Sequence, residues 1–242
     1  MPKPIIAVLL DEDTTNGGRF YQTNKGYFRA IEAAGGIAIG LPYSKDSIGF
    51  AAKNCAALLS TGGRIRFEDN WYIAGEQSTS PDSERLEIEK AIITRFLDDD
   101  KPFLGICNGM QVLAALSGAK LTFQIAAHSD KSINHDSADT RHPLIIETGT
   151  MLSALIGTNE IITNSHHSEG VLSAAPNLKI SARAKDGVIE AVERTDKKFA
   201  IGVQWHPETI WPIAQKDIDI ALGETSRALF EGFVRAAISA AI

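Results

Sequence analysis

A single cysteine between two glycines is the residue of this chain with the clearest capacity for chemistry. Cys107 stands in the run GICNGM, with Gly105 before it and Gly109 after it. An apolar run leads into this corner and an Ala/Leu-rich run leads out, which predicts a strand, a tight turn and a helix. A thiol at such a corner projects away from the sheet, and the positive end of the helix dipole favours its thiolate form. These features predict that Cys107 is a nucleophile.

The second cysteine provides the contrast. Cys55 lies in KNCAALL without flanking glycines, so we expect a buried structural thiol. A buried, inert thiol is also the alternative for Cys107. Two cysteines in 242 residues are no disulfide framework, which favours a reducing, cytoplasmic compartment.

A cysteine nucleophile needs a general base, and the run GVQWHPE offers one. His206 and Glu208 follow an apolar strand, and residues at the carboxyl end of a buried strand reach the crevice of an α/β sheet. Pro207 fixes the chain direction, so Glu208 can turn back to the imidazole. The alternative is a histidine that ends a strand beside a solvated glutamate. In combination with Cys107, the pattern favours a Cys-His-Glu triad.

The elements that must position these residues alternate through the first half of the chain. Apolar runs at 4–10, 37–42, 56–63 and 101–107 predict strands, and the segments 27–36, 46–55, 83–100 and 108–119 predict helices. This alternation predicts an α/β fold with a parallel sheet covered on both faces. In the second half, 143–147, 160–165, 178–184, 187–194 and 199–205 predict short strands that extend the sheet or form a small antiparallel one. Residues 124–142 predict a polar surface loop, 218–242 predict a closing helix, and residues 1–242 are interpreted as one domain.

Charge and hydropathy argue against nucleic-acid binding, a membrane span and a signal peptide. The formal net charge is −6, which argues against nucleic acid or an anionic membrane. No apolar run approaches the roughly 20 residues of a membrane span. The apolar run near the N-terminus is shorter than the roughly 7–15 residues of a signal-peptide core, and a first strand explains it better.

Three motifs, GICNGMQ, NSHHSEG and GVQWHPE, resemble in this order the signatures of class I glutamine amidotransferase domains. Within that superfamily the chain is most similar to the gamma-glutamyl hydrolase branch, peptidase C26, notably the gamma-glutamyl-GABA hydrolases of polyamine breakdown. The resemblance covers nearly the whole chain and includes AGGIAIGLP, DGVIEAVE and RALFEGFVRA. It implies a flavodoxin-like fold with a mostly parallel central sheet flanked by helices. It also implies Cys107 as nucleophile, His206 as general base and then acid, and Glu208 as the residue that orients His206.

An oxyanion hole should accompany this triad. The backbone N–H of Asn108 lies just past the nucleophile, where it could donate to an oxyanion. In similar proteins the second N–H comes from a glycine-rich turn after the third strand. That turn is STGGR here, so we choose Gly63, with Gly62 beside it, although Thr61 stands where the family commonly has proline. The alternative is an ordinary strand-ending turn.

Four residues are weaker candidates for substrate binding. Gln111 lies one helical turn after Cys107 and faces the same side, and in relatives this glutamine lies near the acyl group. His167 matches a common family histidine that shapes the pocket. Arg64 and Arg66 follow the oxyanion turn and could bind a substrate carboxylate, or form surface ion pairs.

The remaining motifs argue against a metal or cofactor. His128, His135 and His142 are widely spaced, without a helical H-x3-H or a cysteine partner, so we expect no metal site. No phosphate-binding loop and no G-x-G-x-x-G after a strand occurs, so we expect no cofactor. The hydrolase branch often carries an Arg-Asp pair in the helix before the nucleophile strand, whereas here Arg85 is followed by Leu86.

These observations predict hydrolysis of a small-molecule gamma-glutamyl amide through a thioester. The leaving amine stays open between GABA, another polyamine product, an amino acid and folyl polyglutamate. A homodimer also stays open. Two alternatives remain: a glutaminase subunit that delivers ammonia to a partner synthetase, and a catalytically silent binding protein on the same scaffold.

Overall fold

A nine-stranded sheet runs through the protein, for which a computed structural model describes residues 2–212 and 220–240. The strands are β1 (Ile5–Leu9), β2 (Asp11–Glu12), β3 (Tyr21–Gln22), β4 (Ile37–Leu41), β5 (Ala57–Ser60), β6 (Phe103–Ile106), β7 (Leu121–Thr122), β8 (Arg141–Ile146), β9 (Glu160–Asn164), β10 (Gly170–Val171), β11 (Leu178–Ala184), β12 (Ile189–Arg194) and β13 (Ala200–Val203). The helices are α1 (Lys25–Ala33), α2 (Lys45–Asn54), α3 (Arg85–Asp98), α4 (Asn108–Leu116), α5 (Met151–Ile156) and α6 (Ile220–Ala240).

The order of strands in this sheet is β4-β1-β5-β6-β13-β12-β11-β8-β9. Strands β4, β1, β5, β6 and β13 pair in parallel, and the pairs from β13 to β9 are antiparallel. Two small antiparallel sheets, β2–β3 and β7–β10, lie outside it. The predicted α/β fold class is confirmed, and the predicted antiparallel extension belongs to the central sheet itself.

Alternate residues of the parallel strands pack against opposite layers of helices. In β1, Ile6 and Val8 join the core cluster that includes side chains of α1 and α6. Ala7, between them, joins the cluster that includes side chains of α2, α3 and α4. Because successive side chains of a strand point to opposite faces, a strand buried on both faces must be apolar throughout. This explains the continuous apolar runs of the first half.

The second half departs from prediction in two places. Residues 124–142 do not form a simple surface loop, because His135 and His142 are buried and β8 already begins at Arg141. Their polar side chains are buried against one another, which composition alone does not reveal. Helix α5 was not predicted, since its six residues are too few to show a helical pattern; Thr150 and Ser153 form a capping box at its start. The predicted closing helix is confirmed as α6, with 218–219 and 241–242 outside the described residues. Within the described ranges, no helix combines the length and apolarity needed to cross a membrane.

Candidate active site

Cys107 occupies the corner between β6 and α4 in a backbone conformation that side chains rarely adopt. Its φ is 52° and its ψ is −103°. A Cβ on Gly105 would lie 2.6 Å from the backbone of Gly109, and one on Gly109 would lie 2.5 Å from the carbonyl oxygen of Ser60. Only glycine at both positions allows strand and helix to approach this closely. The strained conformation costs about 1–3 kcal/mol and is typical of functional sites.

The second cysteine lies away from this corner, at the end of α2. Cys55 is 2% exposed and belongs to the hydrophobic core. Burial raises the pKa of its thiol, which keeps the sulfur in the unreactive protonated form. The prediction that Cys55 is structural is confirmed.

His206 leaves the sheet beside Cys107. Strands β6 and β13 are parallel neighbours, with Val203 opposite Ile106, and the N–H of Cys107 donates to the carbonyl of Val203 at 2.8 Å. The chain continues from β13 through Gln204 and Trp205 to His206. Because parallel neighbouring strands end at the same sheet edge, the main chain brings Cys107 and His206 together.

The imidazole of His206 lies between a carboxylate and the thiol. Its Nδ1 is 2.8 Å from Oε1 of Glu208, a side chain that is 1% exposed, and the ring also hydrogen bonds with Cys107. Burial lowers the pKa of His206, but the negative charges of Glu208 and Cys107 raise it more, and the net pKa is well above its ordinary value. This arrangement favours a protonated imidazole beside the sulfur of Cys107.

Asn164, at the end of β9, fixes the backbone of His206. Its Oδ1 accepts the His206 N–H at 2.9 Å, and its Nδ2 donates to the His206 carbonyl at 3.0 Å and to Oγ1 of Thr209 at 2.8 Å. Sequence reasoning missed this role, although the motif NSHHSEG begins with this asparagine.

The glycine turn after β5 lies directly against Cys107 and His206. A Cβ on Gly62 would lie 2.8 Å from Cε1 of His206, so the close approach requires glycine. The N–H of Gly62 donates to the hydroxyl of Tyr27 at 2.9 Å, which leaves Gly63 as the better candidate for an oxyanion donor. Asn108 directs its side-chain amide to both oxygens of Glu89, at 2.9 and 3.1 Å, while its backbone N–H belongs to the first turn of α4.

Arg85 binds the backbone of this turn. Its guanidinium is fully buried and pairs with Glu89 at 2.9 Å and Asp11 at 3.0 Å. It also donates to the carbonyl of Thr61 at 2.5 Å and to that of Gly62 at 3.0 Å. Sequence reasoning noted Arg85 only as half of a family pair. The following residue, Leu86, belongs to the hydrophobic core instead.

His206 lines two cavities, which also share Asp11, Gly63 and His166. The smaller one, about 340 Å³, is lined by Cys107, by the predicted oxyanion donors Gly63 and Asn108, and by the predicted substrate residues Arg64, Gln111 and His167. The larger one, about 840 Å³, is lined by His206, Glu208, Gly62, Gly63 and Arg141 among others. Arg66 lines neither cavity and instead pairs with Asp69 at 3.4 Å.

The predicted substrate residues differ in how much of their polar surface is already engaged. Gln111 is 4% exposed, and its amide donates to the carbonyl of Glu169 at 3.0 Å and to Oε1 of Gln204 at 3.1 Å. His167 Nδ1 is 2.9 Å from the same carbonyl of Glu169. Arg64 pairs with Asp136 across an exposed edge of the smaller cavity.

Sequence reasoning missed the acids of the smaller cavity. Glu12 and Glu169 line it together with Asp11, and Glu169 accepts hydrogen bonds from Ser78 at 3.0 Å and Ser80 at 3.1 Å. Burial raises the pKa of Glu169 despite these bonds. Nothing in the local sequence of these acids signals a pocket, because they come together only through the fold.

Comparison with known proteins relates this geometry to a family. The family model described as Peptidase C26 matches residues 4–208. Gamma-glutamyl-gamma-aminobutyrate hydrolase PuuD of Escherichia coli is 28% identical over 250 residues, covering 98% of this chain and 94% of that protein. Protein NtpR of Enterococcus hirae is 28% identical, covering 96% and 98%. The glutaminase domain of Trypanosoma brucei CTPS, solved with bound acivicin, superposes with a TM-score of 0.65 at 16% identity over 98% of this chain and 94% of that one, which shows the shared fold.

Proposed function

Because the chain belongs to the peptidase C26 family, we propose that it is a hydrolase that cleaves a gamma-glutamyl amide, with gamma-glutamyl-GABA as the model substrate. The observation that carries this proposal is the contact of His206 with both Glu208 and Cys107 at one sheet edge. The name of the Escherichia coli relative supports the choice of substrate.

The reaction follows from the positions of these groups. The Cys107 thiolate attacks the side-chain amide carbon of the gamma-glutamyl group, and the oxyanion takes hydrogen bonds from the N–H groups of Gly63 and Asn108. Protonated His206 gives its proton to the leaving amine, and the C–N bond breaks to leave a thioester. His206, now neutral, takes a proton from water, whose oxygen attacks the thioester carbon and releases glutamate. Glu208 holds the imidazole in position and stabilises its charged form.

The smaller cavity suits the acyl half of this substrate. A gamma-glutamyl group carries an α-carboxylate and an α-amine, and burial of either charge alone is costly. Arg64 supplies the cation for the carboxylate, and Glu12 and Glu169 supply negative charge for the amine. Ile65 and Phe67 complete the wall of this cavity.

The larger cavity suits the leaving amine. The general acid must touch the amine nitrogen, and His206 lines this cavity together with Glu208. Arg141 also lines it and is exposed, so its guanidinium can meet a carboxylate at the far end of an amine such as GABA. Sequence analysis proposed Arg64 or Arg66 as the partner of a substrate carboxylate, and for the carboxylate of the leaving amine we propose Arg141 instead.

A panel of gamma-glutamyl amides, assayed for released glutamate without any partner protein, tests the proposal. Wild-type protein should hydrolyse gamma-glutamyl-GABA faster than glutamine. Cys107→Ser should fold normally but lose about three orders of magnitude or more in kcat, because the hydroxyl is not deprotonated in the same environment. Cys55→Ser is the matched control and should keep its activity. Turnover of glutamine alone would favour a glutaminase subunit, and equal losses in both variants would contradict the nucleophile assignment.

A further inference from the structure

A second cluster of reactive side chains lies outside the Cys107 site. His135, His142, His167, Asp186 and Glu190 are each at most 7% exposed. They come from four parts of the chain: the segment before β8, β8 itself, the segment after β9, and the β11–β12 hairpin. The spacing of the histidines along the chain predicts no metal site, but the fold brings three of them around one carboxylate.

The distances from Glu190 to three imidazole nitrogens approach those of a coordination shell. Oε1 of Glu190 is 3.2 Å from Nδ1 of His135, 3.5 Å from Nε2 of His167 and 3.7 Å from Nε2 of His142. Ligand atoms from His135, His142 and Glu190 all lie within 4.8 Å of one another. Zinc bonds to nitrogen and oxygen of about 2.0–2.2 Å place neighbouring ligands of a tetrahedron about 3.3–3.5 Å apart.

The outward nitrogens of two imidazoles are held as in metal-binding histidines. Nε2 of His135 is 3.0 Å from Oδ2 of Asp186, and Nδ1 of His167 is 2.9 Å from the carbonyl of Glu169. Each acceptor holds a proton on the outer nitrogen, so the inner nitrogen is available as a ligand; Nδ1 of His135 also lies 3.3 Å from Oγ of Ser165. A ligating histidine almost always donates its other N–H to a carboxylate or a carbonyl in this way.

Protein hydrogen bonds leave the centre of the cluster unsatisfied. Among the described residues, both nitrogens of His142, Nε2 of His167 and both oxygens of Glu190 are buried without a hydrogen-bond partner. Buried polar atoms normally have partners, and such a concentration of unpartnered atoms points to a missing cation.

We propose that His135, His142, His167 and Glu190 bind a divalent metal ion, with zinc as the best match. Imidazole and carboxylate ligands suit zinc, and four protein ligands form a closed site of the structural kind. The ion would join β8 and β12 to the segment that contributes His166, Ser168 and Glu169 to the smaller cavity. This site is independent of the proposed hydrolase activity.

Metal analysis of protein purified without a histidine tag from zinc-supplemented cells tests this site. We expect about one zinc per chain in the wild type. His142→Ala and Glu190→Ala should lose most of it, whereas Cys107→Ser should retain it. His128→Ala is a matched control, since His128 contacts Glu76 and belongs to no part of the cluster. Zinc that is lost in Cys107→Ser but kept in His142→Ala would place the metal at the catalytic cysteine and overturn the proposal.

Chelator-treated wild-type protein gives a second readout that needs no variant to fold. Added zinc should raise its melting temperature, and added cobalt(II) should produce the visible absorption bands of a tetrahedral site. After the same chelator treatment, added zinc should raise the melting temperature of Cys107→Ser as much as that of the wild type. Wild-type protein that contains no metal, and whose melting temperature responds to neither chelator nor zinc, would refute the site.

Discussion

In the proposed mechanism, Glu208 acts on catalysis through the proton affinity of His206. Burial lowers the pKa of His206, and the charges of Glu208 and Cys107 raise it further than burial lowers it. A raised folded-state pKa means that protonated His206 stabilises the fold fully below the ordinary pKa of about 6.5, and that this contribution is lost as pH rises through the folded pKa. In the proposed mechanism protonated His206 is the general acid, and it is lost over the same alkaline pH range.

Glu208→Gln should therefore move the alkaline limb of kcat/KM to lower pH, because an opposite charge no longer supports the imidazolium. The loss of kcat should be smaller than in His206→Ala, which removes the proton carrier itself. pH–rate profiles of the wild type, of Glu208→Gln and of Glu32→Gln, an exposed control on α1, provide the check. An unshifted limb would show that Glu208 does not set the protonation of His206.

Two arginines should divide substrate recognition between them. Arg64 lines the cavity of Cys107, so Arg64→Ala should raise KM for every gamma-glutamyl substrate. Arg141 lines the cavity of Glu208, so Arg141→Ala should raise KM only when the leaving amine carries a carboxylate. Steady-state kinetics with a GABA amide and a neutral amide distinguish these patterns. Arg66→Ala serves as the control, and an effect there equal to that of Arg64→Ala would contradict the assignment.

At the scale of elements, the first residue of α3 determines the geometry of the oxyanion turn. Arg85 binds the carbonyls of Thr61 and Gly62, and the direction of these carbonyls fixes the direction of the following N–H groups. Lysine cannot reproduce the planar fork of donors. Arg85→Lys should therefore lower kcat with little change in KM, as expected for a positioning residue.

Stability measurements separate this role from general packing. Arg85→Met leaves Glu89 buried without its cation and should destabilise the fold by about 3–5 kcal/mol, measured by denaturant unfolding. Arg95→Lys, an exposed change on the same helix, should alter neither kcat nor stability. Normal kcat in Arg85→Lys would show that the turn keeps its shape without the guanidinium.

The elements also show which features can be predicted from the sequence. The corner at Cys107 and the strand end before His206 were predictable because each is a local pattern of apolar run, glycine and polar residue. The role of Arg85 was not, because its partner Asp11 lies 74 positions away. The burial of His135 was missed for the same reason, since Asp186 lies 51 positions away. Local pattern specifies elements, whereas buried polar contacts depend on how the elements are stacked.

At the scale of the whole molecule, the parallel and antiparallel halves of the sheet contribute different residues to the candidate site. The parallel strands β6 and β13 present Cys107 and His206 at one edge. The antiparallel strands contribute Asn164 from β9, which fixes His206, and Arg141 from β8, which lines the larger cavity. Cys107 and His206 thus lie on the parallel half of the sheet, whose continuous apolar strands were predictable. Asn164 and Arg141 lie on the antiparallel half, which was harder to predict.

The position of His206 between two cavities has a consequence for the order of events in turnover. In the proposed reaction, the acyl half of the substrate stays attached to Cys107 in the smaller cavity, while the amine departs through the larger cavity, which His206 also lines. We therefore expect ping-pong kinetics with the amine as first product, followed by a thioester open to whichever nucleophile enters the vacated cavity. Hydroxylamine added during turnover should divert this intermediate, so that amine release outpaces glutamate release and gamma-glutamyl hydroxamate accumulates. Equal release of both products at every hydroxylamine concentration would mean that the amine holds its cavity until the thioester has been hydrolysed.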